Sequence, residues 1–164
     1  MRYQIVTAAI LLALTGCTNQ SQHSARFTPE EAKDMLKQCS RRSAPTADAL
    51  WRIPPSTARK LERDLSQLQK IPTWTSARAP SEFYRQYIGI TSHGRKLVYI
   101  NAVSPEVLEH LRSMHQELGD TGPNSDTNWR HRYVGACDGG DFFWGAVYDP
   151  EKRQFSEFEF NVAI

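Results

Sequence analysis

The stretch "FYRQYIGITSHGRKLVYINAV", Phe83–Val103, decides the fold. Two runs rich in tyrosine, isoleucine and valine, about Phe83–Thr91 and Arg95–Val103, flank the polar "SHG" with Gly94 at its end. Such side chains suit a pleated surface, and a short glycine-containing break joins two strands as a hairpin. Downstream, Ser104-Pro105-Glu106 starts a helix whose buried side is Val107, Leu108, Leu111 and Met114. "GDTGPNSDTN", Gly119–Asn128, is turn-rich and reads as an exposed loop. Three further strands follow, Arg130–Cys137, Phe142–Tyr148 and Phe155–Val162, with Asp149-Pro150 opening the turn between the last two. In the final strand Phe158, Phe160 and Val162 alternate with Glu157 and Glu159, the pattern of a sheet buried on one face.

Upstream the period is helical. "FTPEEAKDMLKQCSRR", Phe27–Arg42, carries a helix start: Thr28 as cap, Pro29 at the first helical position and Glu31 completing a capping box. Ala32, Met35, Leu36 and Cys39 then form an apolar stripe that turns Cys39 to the core. After a proline-rich loop, whose Trp51 and Ile53 pack over the core edge, a second helix begins near Ser56 and ends before Pro72. Ala58, Leu61, Leu65 and Leu68 are its buried stripe; Arg59, Lys60, Glu62, Arg63 and Asp64 face water. The expected architecture is α+β: a five-stranded antiparallel sheet of two hairpin units, with about three helices packed on one face.

The chain opens "MRYQIVTAAILLALTGCTNQ". Arg2 precedes an apolar run, Ile5–Leu14, broken only by Thr7. As a helix that run is about 15 Å long, half a bilayer core, which suits a signal peptide and not a span. Its end, "LTGC" at Leu14–Cys17, resembles the lipobox of bacterial lipoproteins. The resemblance implies that the Cys17 sulfur receives a diacylglyceryl group, that cleavage precedes Cys17, and that the new amine is acylated. Inner-membrane lipoproteins typically carry aspartate at the next position. Thr18 stands there, which implies the outer membrane with the body facing the periplasm. The expected organisation is a signal peptide at 1–16, an acylated flexible tether at 17–26 and a single periplasmic domain at 27–164. Two or more acyl chains hold a protein on a membrane stably. No cofactor is expected beyond that covalent lipid.

The 164 residues carry a formal charge of +2, and loss of Arg2, the one charged residue among the first 16, leaves +1. Near-neutral balance argues against a nucleic-acid partner, which would want a basic stripe. With Cys17 lipidated, Cys39 and Cys137 remain, an even pair in an oxidising compartment, and a disulfide or two buried thiols are the alternatives. Zinc would need further ligands at suitable spacing, and none flanks either cysteine.

"CDGGDFFWG", Cys137–Gly145, is the segment richest in chemical groups. Gly139-Gly140 fits the centre of a type I′ hairpin turn, which would set Asp138 opposite Asp141. A solvated or arginine-paired turn, a cation site and a pair of catalytic carboxylates are the three readings, with His131 the nearest histidine. A hairpin tip beside a staple is the preferred one. Gly145 allows a close approach to its strand. "SHGRK", Ser92–Lys96, offers His93 and Arg95 as a possible ion or partner contact. No zinc-protease helix, nucleophile elbow, phosphate loop or dinucleotide fingerprint occurs in the sequence.

The stretches Tyr84–Val103 and Cys137–Asn161 together are similar to a group of small lipoproteins and secreted proteins of Gram-negative bacteria. The shared pattern is a strand ending in "YINA" (Tyr99–Ala102), a cysteine-Asp-Gly-Gly turn, and an aromatic strand containing glycine. The resemblance implies a shared fold and envelope setting and brings no activity. The expected role is a non-enzymatic one, binding or supporting an envelope partner. The rivals are a small envelope hydrolase or cation-binding protein using Asp138, Asp141 and His131, and an inhibitor that projects a loop into a partner's cleft.

Overall fold

A computed structural model describes residues 22–37, 39, 41, 46–119 and 128–162. The signal segment, Cys17 with its expected lipid, and positions 120–127 of the expected loop lie outside the described residues.

The architecture is α+β, built on one six-stranded mixed sheet. In chain order the elements are β1 (Ser24–Arg26), β2 (Ala49–Trp51), α1 (Pro55–Asp64), β3 (Tyr84–Ser92), β4 (Arg95–Val103), α2 (Pro105–Glu117), β5 (Phe143–Asp149) and β6 (Gln154–Phe160). Short 3-10 turns occupy Leu65–Lys70, Pro80–Glu82 and Gly140–Phe142. The central order is β1-β3-β4-β5-β6, and β2 also pairs with β3. β1 runs parallel to β3 at Arg85–Tyr87, and β2 antiparallel to it at Gly89–Thr91.

The β3–β4 hairpin forms as its sequence dictates. Ser92 pairs with Arg95, and both turn residues have positive φ, 50° at His93 and 74° at Gly94. That is the type I′ geometry whose twist matches the flanking strands. β5 and β6 pair around the Asp149-Pro150 turn, where Asp149 Oδ1 accepts the Glu151 and Lys152 N–H groups.

Four expectations are corrected. First, Arg130–Cys137 is not a strand: residues 129–132 form a turn, with the His131 and Arg132 N–H groups both donating to the Asn128 carbonyl. Gly139-Gly140 therefore joins no hairpin. Gly139 has φ −76°, only Gly140 is positive, and a 3-10 turn leads into β5.

Second, no α-helix forms at 28–37. The cap forms as read, with the Thr28 N–H donating to Glu31 Oε2 (2.7 Å) and the Glu31 N–H to Thr28 Oγ1 (3.3 Å). Beyond it the bonds shorten to three-residue spacing, Lys33 to Glu30, Met35 to Ala32 and Lys37 to Asp34. This tighter winding puts Ala32 and Met35 on one side, where both are fully buried.

Third, both faces of the sheet are covered. On one lie α1 and the following 3-10 turn, with Leu61, Leu65 and Leu68 against Tyr87, Ile100, Trp144 and Tyr148. On the other, a cover of irregular chain from 27–37 and 129–136 joins Leu108 of α2 over Ile88, Tyr99, Val103 and Val147. Of the expected α2 stripe only Leu108 is buried, and Met114 is exposed. Fourth, Ser24–Arg26 belongs to the body and not to a tether. Ser24 and Ala25 are buried in β1, and the Arg130 guanidinium donates to the Ser24 carbonyl (3.0 Å) and to that of Gln22.

Candidate functional site

The polar groups of this molecule concentrate in the layer between the sheet and its covers. On the face under the irregular cover, register aligns Gln86 of β3, Asn101 of β4, Gly145 of β5 and Glu159 of β6 in one row across the strands. Gln86 and Asn101 are fully buried. Gln86 Nε2 donates to the carbonyls of Trp129 (2.7 Å) and Arg132 (2.6 Å), and its Oε1 accepts from Asn101 Nδ2 (2.9 Å) and from the Val134 N–H (3.2 Å). Asn101 Nδ2 also donates to the Val134 carbonyl (2.8 Å), and Asn161 Nδ2 to that of Ala136 (2.7 Å). Three amide side chains thus partner five backbone groups of 129–136. This is why the segment needs no strand partner, since buried backbone groups demand a partner of some kind.

Arg41 enters the same row. Its Nη2 donates to Asn101 Oδ1 (2.6 Å), and its Nη1 lies where a Cβ on Gly145 would stand, 2.3 Å away. Gly145 therefore admits a guanidinium, not a neighbouring strand. The Tyr99 hydroxyl flanks this point, 3.2 Å from the same Cβ position, and burial pushes its pKa up to about 12 despite the opposing pull of Arg41.

The opposite face carries two arginine-carboxylate-tyrosine groups. Tyr87 donates to Glu62 Oε1 (2.8 Å), and Arg85, buried to 1 % exposure, donates to Tyr87 Oη (2.9 Å), to Glu62 Oε2 (3.1 Å) and to the carbonyls of Pro80, Ser81 and Phe83. Tyr148 donates to Asp64 Oδ2 (2.6 Å), and Arg153 grips both Asp64 oxygens (3.0 and 2.6 Å). Both acids come from α1, whose Glu62 and Asp64 the helical pattern had assigned to water. They latch the helix to β3 and to the β5–β6 turn. Burial raises the pKa of both tyrosines, keeping their hydroxyls protonated as donors. These groups fasten chain to chain.

The cover is closed covalently. Cys39 and Cys137 are disulfide-bonded with Cα atoms 5.0 Å apart, which resolves the open alternative. Both cysteines are exposed, so the bond lies at the surface and not in the core, joining the two cover segments 98 positions apart.

The other sequence candidates disperse. His131 Nδ1 meets Glu31 Oε1 at 2.7 Å, linking one cover segment to the other. Asp138 is exposed, and Asp141 lines a recess of ≈ 230 Å³ with Arg78, Ser104, Glu106 and Phe142. His93 sits at the β3–β4 tip, where its N–H donates to Asp48 Oδ2 (3.1 Å), and Arg95 pairs with Asp149. Among the described residues no three histidine, cysteine or acidic side chains converge as a group able to hold a metal ion, so Asp138, Asp141 and His131 form no such set. A second recess, ≈ 510 Å³, lies along α2 beside Tyr84, Leu108 and Arg112. Among the described residues no helix is long and apolar enough to cross a membrane.

The buried amides and Arg85 are what sequence reasoning missed. The available signal was polar side chains set inside otherwise apolar strand runs: Gln86 and Asn101 on one face, Arg85 on the other. Comparison with protein-family models, with curated proteins and with solved structures finds no match for this chain.

Proposed function

We propose that this protein is a lipoprotein of a Gram-negative envelope, acylated at Cys17, held on the outer membrane facing the periplasm, and serving as a non-catalytic binding or support module. The observation that carries the reading furthest is the Cys39–Cys137 disulfide. It fastens the cover at the surface, and a bond so exposed persists in an oxidising compartment such as the periplasm. The role follows from what the interior side chains do. Glu62, Asp64, Arg85, Gln86 and Asn101 hold the covers and α1 to the sheet, giving a rigid body whose recesses lie at its surface. The exposed β3–β4 tip, with His93 and Arg95, is the candidate contact for an envelope protein.

Metabolic labelling with palmitate in a Gram-negative host tests the setting. Label is expected on the natural chain and lost in Cys17→Ser. Separation of the two membranes places the natural chain in the outer fraction and Thr18→Asp in the inner one. An unlabelled natural chain would overturn the anchor, and an inner-membrane natural chain would overturn the outer-membrane assignment.

A further inference from the structure

We propose that the end of the sheet at which β1 begins is a membrane-seating surface, docked against phospholipid headgroups beside the lipid anchor. The inference rests on the acylation of Cys17 put forward above and adds an orientation to it. β1 is parallel to β3, so its first residue, Ser24, lies at the Tyr84 end of the sheet. The same end carries Val103 of β4, Phe143 of β5 and Phe160 of β6.

The chain's exit there is fixed. Arg130 holds the Gln22 and Ser24 carbonyls, and its guanidinium lies 4.4 Å from the Trp129 ring centroid. The His23 ring packs on Tyr84 at 4.6 Å, and Tyr84 packs on Trp129 at 4.9 Å. From Cys17 to Gln22 the backbone can span at most about 18 Å, whatever its conformation. The nine-residue strands β3 and β4 are about 30 Å long. The tether therefore holds the exit end within about 18 Å of the anchor, nearer than the hairpin tips need be.

The composition of the two ends agrees. Phe142 and Val162, exposed to 49 % and 52 %, sit at the exit end. The far end presents His93, Arg95, Lys96, Glu151 and Lys152, all exposed. Exposed apolar groups beside an aromatic and cationic cluster suit the boundary between headgroups and acyl chains. Arg130 supplies the phosphate contact near the anchor. Asp141 and Glu106 line the same recess as Phe142, so contact at that point is through the ring.

The test uses the full chain expressed in a Gram-negative host, with a photo-crosslinking side chain installed singly at 128, 142 or 152, all exposed positions. Palmitate labelling is run on each. The account expects palmitate on all three, phospholipid adducts at 128 and 142, and none at 152. Palmitate with equal adducts at the three positions, or with protein in place of lipid at 142, overturns the docking and leaves the anchor standing. Absence of palmitate overturns the anchor, and the docking falls with it.

Discussion

Gln86 and Asn101 stand opposite each other on β3 and β4, and the Asn101 amide donates to the Gln86 carbonyl oxygen over 2.9 Å. Together they form a polar plate in the middle of an apolar sheet, and the cover segment 129–134 is fastened to it through its own backbone. Replacing Asn101 by leucine keeps the branched outline and removes the donor to the Val134 carbonyl and the Gln86 oxygen and the acceptor that Arg41 Nη2 meets. Leaving a buried group unpaired costs roughly 1–3 kcal/mol, so Asn101→Leu is expected to lower stability by an amount in that range. Urea unfolding would show a lowered midpoint, and an unchanged midpoint would remove the plate from the account.

Gly145→Ala tests the close approach of Arg41. The added methyl would stand 2.3 Å from Arg41 Nη1, and that guanidinium is held by Asn101. Overpacking of this kind costs about 1–3 kcal/mol. The penalty should shrink in an Arg41→Ala background, because neighbouring changes couple. Equal penalties in the two backgrounds would mean that the guanidinium does not occupy the space.

The disulfide closes a long loop, its cysteines 98 positions apart. The chain-entropy model values such a closure at about 4–5 kcal/mol, and strain in the folded form can lower the figure. Paired Cys39→Ser and Cys137→Ser changes, or reductant, are expected to destabilise the body by an amount approaching that. Thiol labelling of the natural protein before reduction should find neither Cys39 nor Cys137 reactive. Full labelling without reductant contradicts the bond.

Two limbs of the pH–stability curve have named sources. Hydrogen bonds from Arg153, against the opposing effect of burial and with help from Tyr148, hold the Asp64 carboxyl below its ordinary value of 3.8. A depressed folded pKa means stability present above that ordinary value and lost as pH falls through the folded one. Asp64→Asn should flatten this acid limb while lowering stability at neutral pH. Burial raises Tyr99 from 10.0 to about 12, so its contribution is complete below pH 10 and fades as pH rises to about 12. The Tyr99 hydroxyl is buried without a hydrogen-bond partner. Tyr87 and Tyr148 share the alkaline limb, so Tyr99→Phe is expected to reduce it without loss at neutral pH. Equilibrium unfolding across pH reads both, and unaltered limbs in the two variants would contradict the assignments.

The hairpin Tyr84–Val103, the first half of the second helix with Ala58 and Leu61, and the β5–β6 pair were legible because local pattern, turn chemistry and tertiary burial agree there; Leu65 and Leu68 are buried as read, but from a 3-10 turn. The number of covered faces was misread from the wrong strand. β6, at the sheet edge, alternates phenylalanine and glutamate and suggests one wet face. The central runs, such as Leu97–Val103 and Phe143–Tyr148, are nearly continuous in apolar residues, the mark of strands buried on both sides. Residues 28–37 and 130–137 carried sound local signals for helix and strand. They were overruled because their backbone groups find partners at short range or in side chains far away in sequence, such as Gln86 and Asn101. The latching roles of Glu62 and Asp64 were hidden for the same reason: their partners Arg85 and Arg153 are remote along the chain.

The most direct measurement is the intact mass of the full chain extracted from the membranes of a Gram-negative host, taken before and after reduction. The account predicts a chain of residues 17–164 plus a diacylglyceryl group and a further acyl chain, gaining the mass of two hydrogens when reductant opens the Cys39–Cys137 bond. A mass with no lipid, or a mature form that starts elsewhere than Cys17, would contradict it.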